Sequence, residues 1–151
     1  MSEILDCLSF SRIANGTFDK LTSLTKLALM NNAIYWLPPG MFSNSKVKFL
    51  GLEGNQLKAI SRGNMLALST SPLQHLELHQ NKLANIPAYT FDGIAKLLHL
   101  ELNHNLLKTV GTEAITNLPE LITLILHSQD TPMELIQYDA FRNIGSKLES
   151  L

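Results

Sequence analysis

Two stretches, His75-Leu76-Glu77-Leu78-His79 and His99-Leu100-Glu101-Leu102-Asn103-His104, place imidazoles and carboxylates at alternate positions. On an extended chain, alternation sends His75, Glu77 and His79 to one side and the leucines to the other. Three readings fit such a surface. It can be a solvated polar face in which histidine has no special task, since exposed strand positions tolerate most polar residues. It can titrate: all five histidines of the chain would gain positive charge below about pH 6.5, strengthening contact with an acidic ligand or altering a protein interface. It can also bind a metal through His75, His79 and His99 with Glu77 or Glu101, but no oriented outer shell is legible, and neither a metal nor another cofactor is expected. Catalysis is not expected either. No nucleophile elbow, phosphate-binding glycine loop or Cys-x-x-Cys pair occurs, and a His-x-Glu pair on an open strand lacks an enclosing cleft.

The elements that hold these residues repeat. The pattern L-x-x-L-x-L-x-x-N starts at Leu24, Val47, Leu73, Leu97 and Leu121, with an interrupted copy at Leu148, at intervals of 23, 26, 24, 24 and 27 residues. A period in this range marks stacked turns, each one strand plus a return segment, around one continuous core. The leucines of each copy, such as Leu73, Leu76, Leu78 and Leu83, face inward. Asn32, Asn55, Asn81 and Asn105 mark the bends, where a side-chain amide can satisfy buried main-chain groups; the fifth copy carries Gln129 instead. Two columns are expected behind the strands: Leu37, Ile60, Ile86, Val110 and Ile136, then Phe18, Phe42, Met65 or Leu66, Phe91, Ile115 and Phe141.

The expected architecture is therefore an α/β solenoid with short parallel strands on a concave face and irregular or 3-10 returns on the convex one. It is read as one domain, residues 1–151. A partial repeat spans 1–23, repeats span 24–46, 47–72, 73–96, 97–120 and 121–147, and a truncated repeat spans 148–151. At the start, either Leu8, Ser11 and Ile13 occupy motif positions in a shortened repeat, or Ile13 takes the role of Ile86 in a full one. Function is expected on the concave face, with ligand-binding residues His75, Glu77, His79, His99, Glu101, Asn103, His104 and His127. Parallel strands about 4.8 Å apart make His75 neighbour His99 and Glu77 neighbour Glu101, with His79, Asn103 and His127 in one row.

Composition narrows the partners. With 12 basic and 13 acidic side chains among 151 residues, the chain has no field to attract nucleic acid or an anionic membrane at neutral pH. No apolar run approaches about eighteen residues and no charged-then-apolar leader follows Met1, so neither a membrane segment nor a signal peptide is expected in this chain. The ends read as mid-repeat, which predicts a fragment of a longer array and self-association through uncapped ends. Cys7 is the sole cysteine, so no internal disulfide forms, and it is expected to be a small buried hydrophobe. Asn15-Gly16-Thr17 is an N-glycosylation sequon on a return segment; it suits a glycan on a secreted protein, and it is equally accounted for as common repeat sequence.

Repeats of about 24 residues, Pro38 or Pro87 after an aliphatic, and the stretches Gly40-Met41-Phe42 and Thr90-Phe91-Asp92-Gly93-Ile94 resemble the typical extracellular leucine-rich repeats of animals. That subfamily includes Toll-like receptor ectodomains and the variable lymphocyte receptors of jawless vertebrates. The long return Ser61 through Pro72 and the divergent Ser128-Gln129-Asp130-Thr131-Pro132 are more similar to the irregular turns of Toll-like receptors. The resemblance implies a non-catalytic module of an innate-immune receptor, extracellular, cell-surface or in the endosomal lumen, that binds a protein or microbial ligand. The missing caps and cysteines depart from the receptor pattern. The rival expectation is an intracellular repeat scaffold that binds a protein partner.

Overall fold

The computed structural model describes residues 2–148, a parallel-strand β-solenoid of about six turns with little helix. Strands β1 (Ser2–Ile4), β2 (Lys26–Ala28), β3 (Phe49–Gly51), β4 (His75–Glu77), β5 (His99–Glu101) and β7 (Thr123–Ile125) form one parallel sheet in that order. Helix α1 (Arg62–Leu66) occupies the long return after β3. Strands β6 (Thr109–Val110) and β8 (Leu135–Ile136) make a second, two-stranded parallel sheet on the return side. The remaining returns are strings of turns. Among the described residues no helix is long and apolar enough to cross a membrane.

The register is that of the leucines. Leu27, Leu50, Leu76, Leu100 and Leu124 pair in succession across the sheet and are fully buried. Such a column stabilises the stack because each leucine covers the next, at about 1.5–3 kcal/mol for a fully buried aliphatic side chain. Behind it lie Leu37, Ile60, Ile86 and Val110, then Phe42, Met65, Phe91 and Ile115, all buried. Met65 takes the inward position and Leu66 faces solvent. Phe18 and Phe141 are partly buried against the same core. Ile136, expected in the first column, is instead exposed at 48%. It pairs with Val110 in the outer strand of the small sheet and is covered from that side alone.

At the start, Ser2 pairs with Lys26 and Ile4 with Ala28. This register puts Ile13, which is buried, level with Leu37 in the column of Ile60 and Ile86, so the opening stretch has the spacing of a full turn. Cys7 overturns expectation. It is exposed, because it falls on the bend in a left-handed conformation (φ 56°), level with Asn31, and its thiol points away from the core to Asp6 Oδ1 at 3.0 Å. The hydrogen bond to Asp6 pushes the thiol pKa up, away from the reactive thiolate. Leu148 is the last described residue, so the truncated repeat expected at 148–151 otherwise lies outside the described residues.

The asparagines do what their chemistry allows. Asn81 Oδ1 accepts from Leu57 N (3.0 Å), while its Nδ2 donates to the carbonyls of Leu52 (2.9 Å) and Leu78 (3.1 Å). Asn55 and Asn105 repeat the pattern one turn to either side. Gln129 reproduces it with a longer side chain, accepting from Leu107 N at 3.2 Å and donating to the carbonyls of Leu102 (3.0 Å) and Leu126 (2.8 Å). The residue before each of these amides, Asn31, Gly54, Gln80, His104 and Ser128, is left-handed, with φ between 51° and 66°. That single reversal swings the chain off the strand.

Candidate functional site on the strand face

Strands β4 and β5 hold the site. Leu76 and Leu100 anchor them inward, so the alternation of the strand turns His75, Glu77, His99 and Glu101 outward, each partly buried by its lateral neighbours. His75 stands opposite His99 and Glu77 opposite Glu101, as the spacing predicts. The ladder continues past the strands, where Gln80 N donates to Asn103 O at 3.1 Å and brings His79 level with Asn103. Beyond it the row steps out of register, because His104 N donates to Ser128 O at 3.0 Å.

The first row is a stack of flat groups. His75 and His99 lie face to face with ring centroids 4.4 Å apart and planes at 13°. Phe49 continues the stack at 6.1 Å from His75, and Lys26 Nζ sits 4.4 Å above the Phe49 ring. Burial, and then the charge of His99, push the His75 pKa down, with Glu101 opposing. His75 is therefore harder to protonate than a free imidazole.

The second row is acidic. Glu77 and Glu101 are joined by Glu53, which leans over Gly51: a β-carbon at Gly51 would lie 3.0 Å from Glu53 Oε2 and 3.1 Å from Phe49 Cε1. The missing side chain of Gly51 makes room for the carboxylate to reach Glu77. Burial pushes the Glu77 pKa up to about 7, helped by the charges of Glu53 and Glu101 and a hydrogen bond to Glu53, and opposed by Lys26. Glu77 thus takes up a proton near neutrality, and that proton supplies the donor for Glu53. Ala28 and Gly51, which flank the acidic row on the preceding strands, are buried.

The third row is incompletely paired. His79 Nδ1 lies 3.3 Å from Glu101 Oε2 without hydrogen-bond alignment. Asn103 Oδ1 is likewise buried without a protein donor. His104 and His127 lie apart from this cluster. His104 sits on the bend with Nδ1 3.7 Å from Asp130 Oδ1, and His127 Nδ1 is 2.9 Å from Ser128 Oγ, both exposed. Among the described residues no three His, Cys, Asp or Glu side chains are arranged to hold a metal ion. The parallel imidazole planes of His75 and His99 fit that, since their nitrogen lone pairs lie in the ring planes and run side by side. Three residues absent from the expected site belong to it: Lys26, Phe49 and Glu53. The signal that could have found Glu53 is Gly51, whose lack of a side chain lets Glu53 fold back.

The comparisons with known proteins agree with the repeat geometry. A family model described as "Leucine rich repeat" matches residues 4–57 and 71–130. Mouse podocan is 33% identical over 124 residues, covering 81% of this chain and 20% of podocan. Human oligodendrocyte-myelin glycoprotein is 36% identical over 77 residues, covering 51% of this chain and 17% of the relative. Mouse leucine-rich repeats and immunoglobulin-like domains protein 3 is 38% identical over 76 residues, covering 49% of this chain and 6% of the relative. Each match thus takes in 20% or less of the relative's length. With a family model spanning most of its length and the asparagine column in place, this chain belongs to the leucine-rich repeat family.

Proposed function

We propose that this chain is a non-catalytic recognition module of an extracellular receptor or adhesion protein, binding a protein ligand across the strand face between Lys26 and His127. The observation that carries the reading is the register of that face: His75 with His99 and Glu77 with Glu101 stand side by side on a parallel sheet, turned outward and only partly covered by their neighbours. Side chains already held by lateral packing lose little conformational freedom when a partner covers them. Similarity to oligodendrocyte-myelin glycoprotein, a glycoprotein by name, supports an extracellular setting. The finer reading is a Toll-like receptor ectodomain that senses a microbial ligand, supported by the helix in the long return 61–72 and by the out-of-step fifth turn.

A screen of the purified chain against extracellular proteins, at pH 5.5 and 7.5, tests this. Binding should fail with His99→Glu and Asn103→Lys and survive Lys147→Ala on the return side. The reverse pattern would move the site off the strand face. An acidic ligand should bind more tightly at pH 5.5, chiefly because Glu77 loses its charge. Unchanged affinity in Glu77→Gln, or after replacing His75, His79 and His99 with glutamine, would remove the pH coupling.

The exposed Cys7 thiol supports the rival, an intracellular scaffold, since free surface thiols suit a reducing compartment. Locating the protein in its own cells separates the two readings. For self-association the edge strand β1 carries opposing features: Ile4, Leu8 and Phe10 are exposed, while Glu3 occupies the inward position level with Leu27. A mass above that of one chain in light scattering would favour the apolar contribution.

A further inference from the structure

The return side of the first two turns carries a groove of about 330 Å³ lined by Arg12, Ile13, Ala14, Asn15, Trp36 and Pro38. It has two unusual features. Trp36 is 47% exposed, a large apolar surface left in water because Ile34 and Leu37 on either side of the Tyr35-Trp36 pair take the inward positions. Asn15 stands on the rim at the tip of a tight turn: Thr17 N and Thr17 Oγ1 both donate to Ala14 O, at 3.4 and 2.8 Å, and Gly16 supplies φ 75°. A glycine with positive φ at the third position is what a type II turn requires, and it leaves the preceding residue at the apex. Asn15, Gly16 and Thr17 are all exposed.

We propose that Asn15 carries an N-linked glycan whose first N-acetylglucosamine lies in this groove against the face of Trp36. The proposal rests on the extracellular reading above, since the donor is a lipid-linked oligosaccharide diphosphate of the secretory pathway. Asn15 Nδ2 loses a proton and bonds the anomeric carbon as the bond from that carbon to the diphosphate oxygen breaks. The diphosphate lipid leaves as the anion, and nothing is oxidised or reduced. Once attached, the sugar is held within reach of Trp36 at no further cost of encounter. Its C–H face meets the negative face of the indole, and its hydroxyl and acetamido oxygens can accept from Arg12 at the rim. The sugar covers apolar surface that the fold leaves bare, and it does so on the return side, leaving the strand face open.

The test expresses the chain with an added secretion leader in animal cells. Intact mass should show an oligosaccharide that a glycosidase cutting at the asparagine removes, absent in Asn15→Gln. In nuclear magnetic resonance spectra, the ring protons of the first N-acetylglucosamine should be shifted upfield by the indole, retain that direction of shift in Trp36→Phe, and return to free-glycan positions in Trp36→Ala. A secreted chain with unmodified Asn15 overturns the site. A modified chain with no upfield shift overturns the seat on Trp36. A cytosolic location of the protein in its own cells, with no glycosidase-sensitive form, overturns the extracellular reading and the glycan together.

Discussion

Two stacks of polar side chains run across the same turns, and they are built to opposite ends. In the asparagine column, Asn55, Asn81 and Asn105 each accept from one backbone N–H and donate to at least two carbonyls. On the strand face of the same turns, His75, Glu77, His99 and Glu101 pack against one another laterally and stay partly exposed. A completed column is a structural part, and a change in it must rebuild the same hydrogen bonds, as Gln129 does. An outward, partly exposed one keeps polar and ring surface that a second molecule can cover.

Substitutions sharpen this contrast, beginning with the core that both stacks depend on. Phe91→Ala should lower the unfolding free energy by about 3–5 kcal/mol in urea denaturation, because Phe91 is fully buried in the return-side spine. Asn81→Ala should cost about 3 kcal/mol, since it strands the Leu57 N–H and the Leu52 and Leu78 carbonyls at once. A loss below about 1 kcal/mol there would show that the column is not what closes the bends.

On the strand face the effects should be smaller and pH-dependent. The folded state raises the Glu77 pKa from 4.5 to about 7, so it favours the protonated form. The stability contributed by that proton is fully present below pH 4.5 and is lost as pH rises toward 7 and above. Glu77→Gln should therefore stabilise the protein by about 1 kcal/mol at pH 8, a value reduced for solvent screening of a half-buried group, and change little at pH 4. Thermal melts at the two pH values check the sign. His99→Gln should shift stability at neutral pH by only about 0.5 kcal/mol in either direction. A loss of several kcal/mol would make the imidazole stack a structural part and erase the contrast.

Much of this was legible in the sequence because leucine spacing sets register, and register sets which side chains are neighbours. The pairs His75–His99 and Glu77–Glu101 follow from it directly. What was not legible depends on neighbours one turn away. Glu53 reaches Glu77 only because Gly51 presents no side chain in between. Ile136 matches its column by spacing and is exposed by its place in the outer strand of a small sheet. Helix α1 forms in a return whose length alone was evident; it is started by Ser61 and Asn64 capping each other, and Asn64 Nδ2 ties it to Leu37 O at 2.7 Å. Cys7 has the composition of a core residue and the position of a bend.

The left-handed residues that precede the amides set a limit on how this surface can diversify. Gly54, Asn31 and His104 are of types that enter that conformation more readily, whereas Gln80 and Ser128 do so against a steric preference. A valine, isoleucine or threonine at any of the five would oppose the reversal and push the following amide away from its carbonyls. Randomised libraries for new binding specificities can vary freely at the outward positions of Lys26, Phe49, His75, His99 and Thr123, but should hold the bends to glycine, asparagine or a short polar residue. Sequence freedom on this molecule thus comes in strips, ruled off at each turn by one backbone angle.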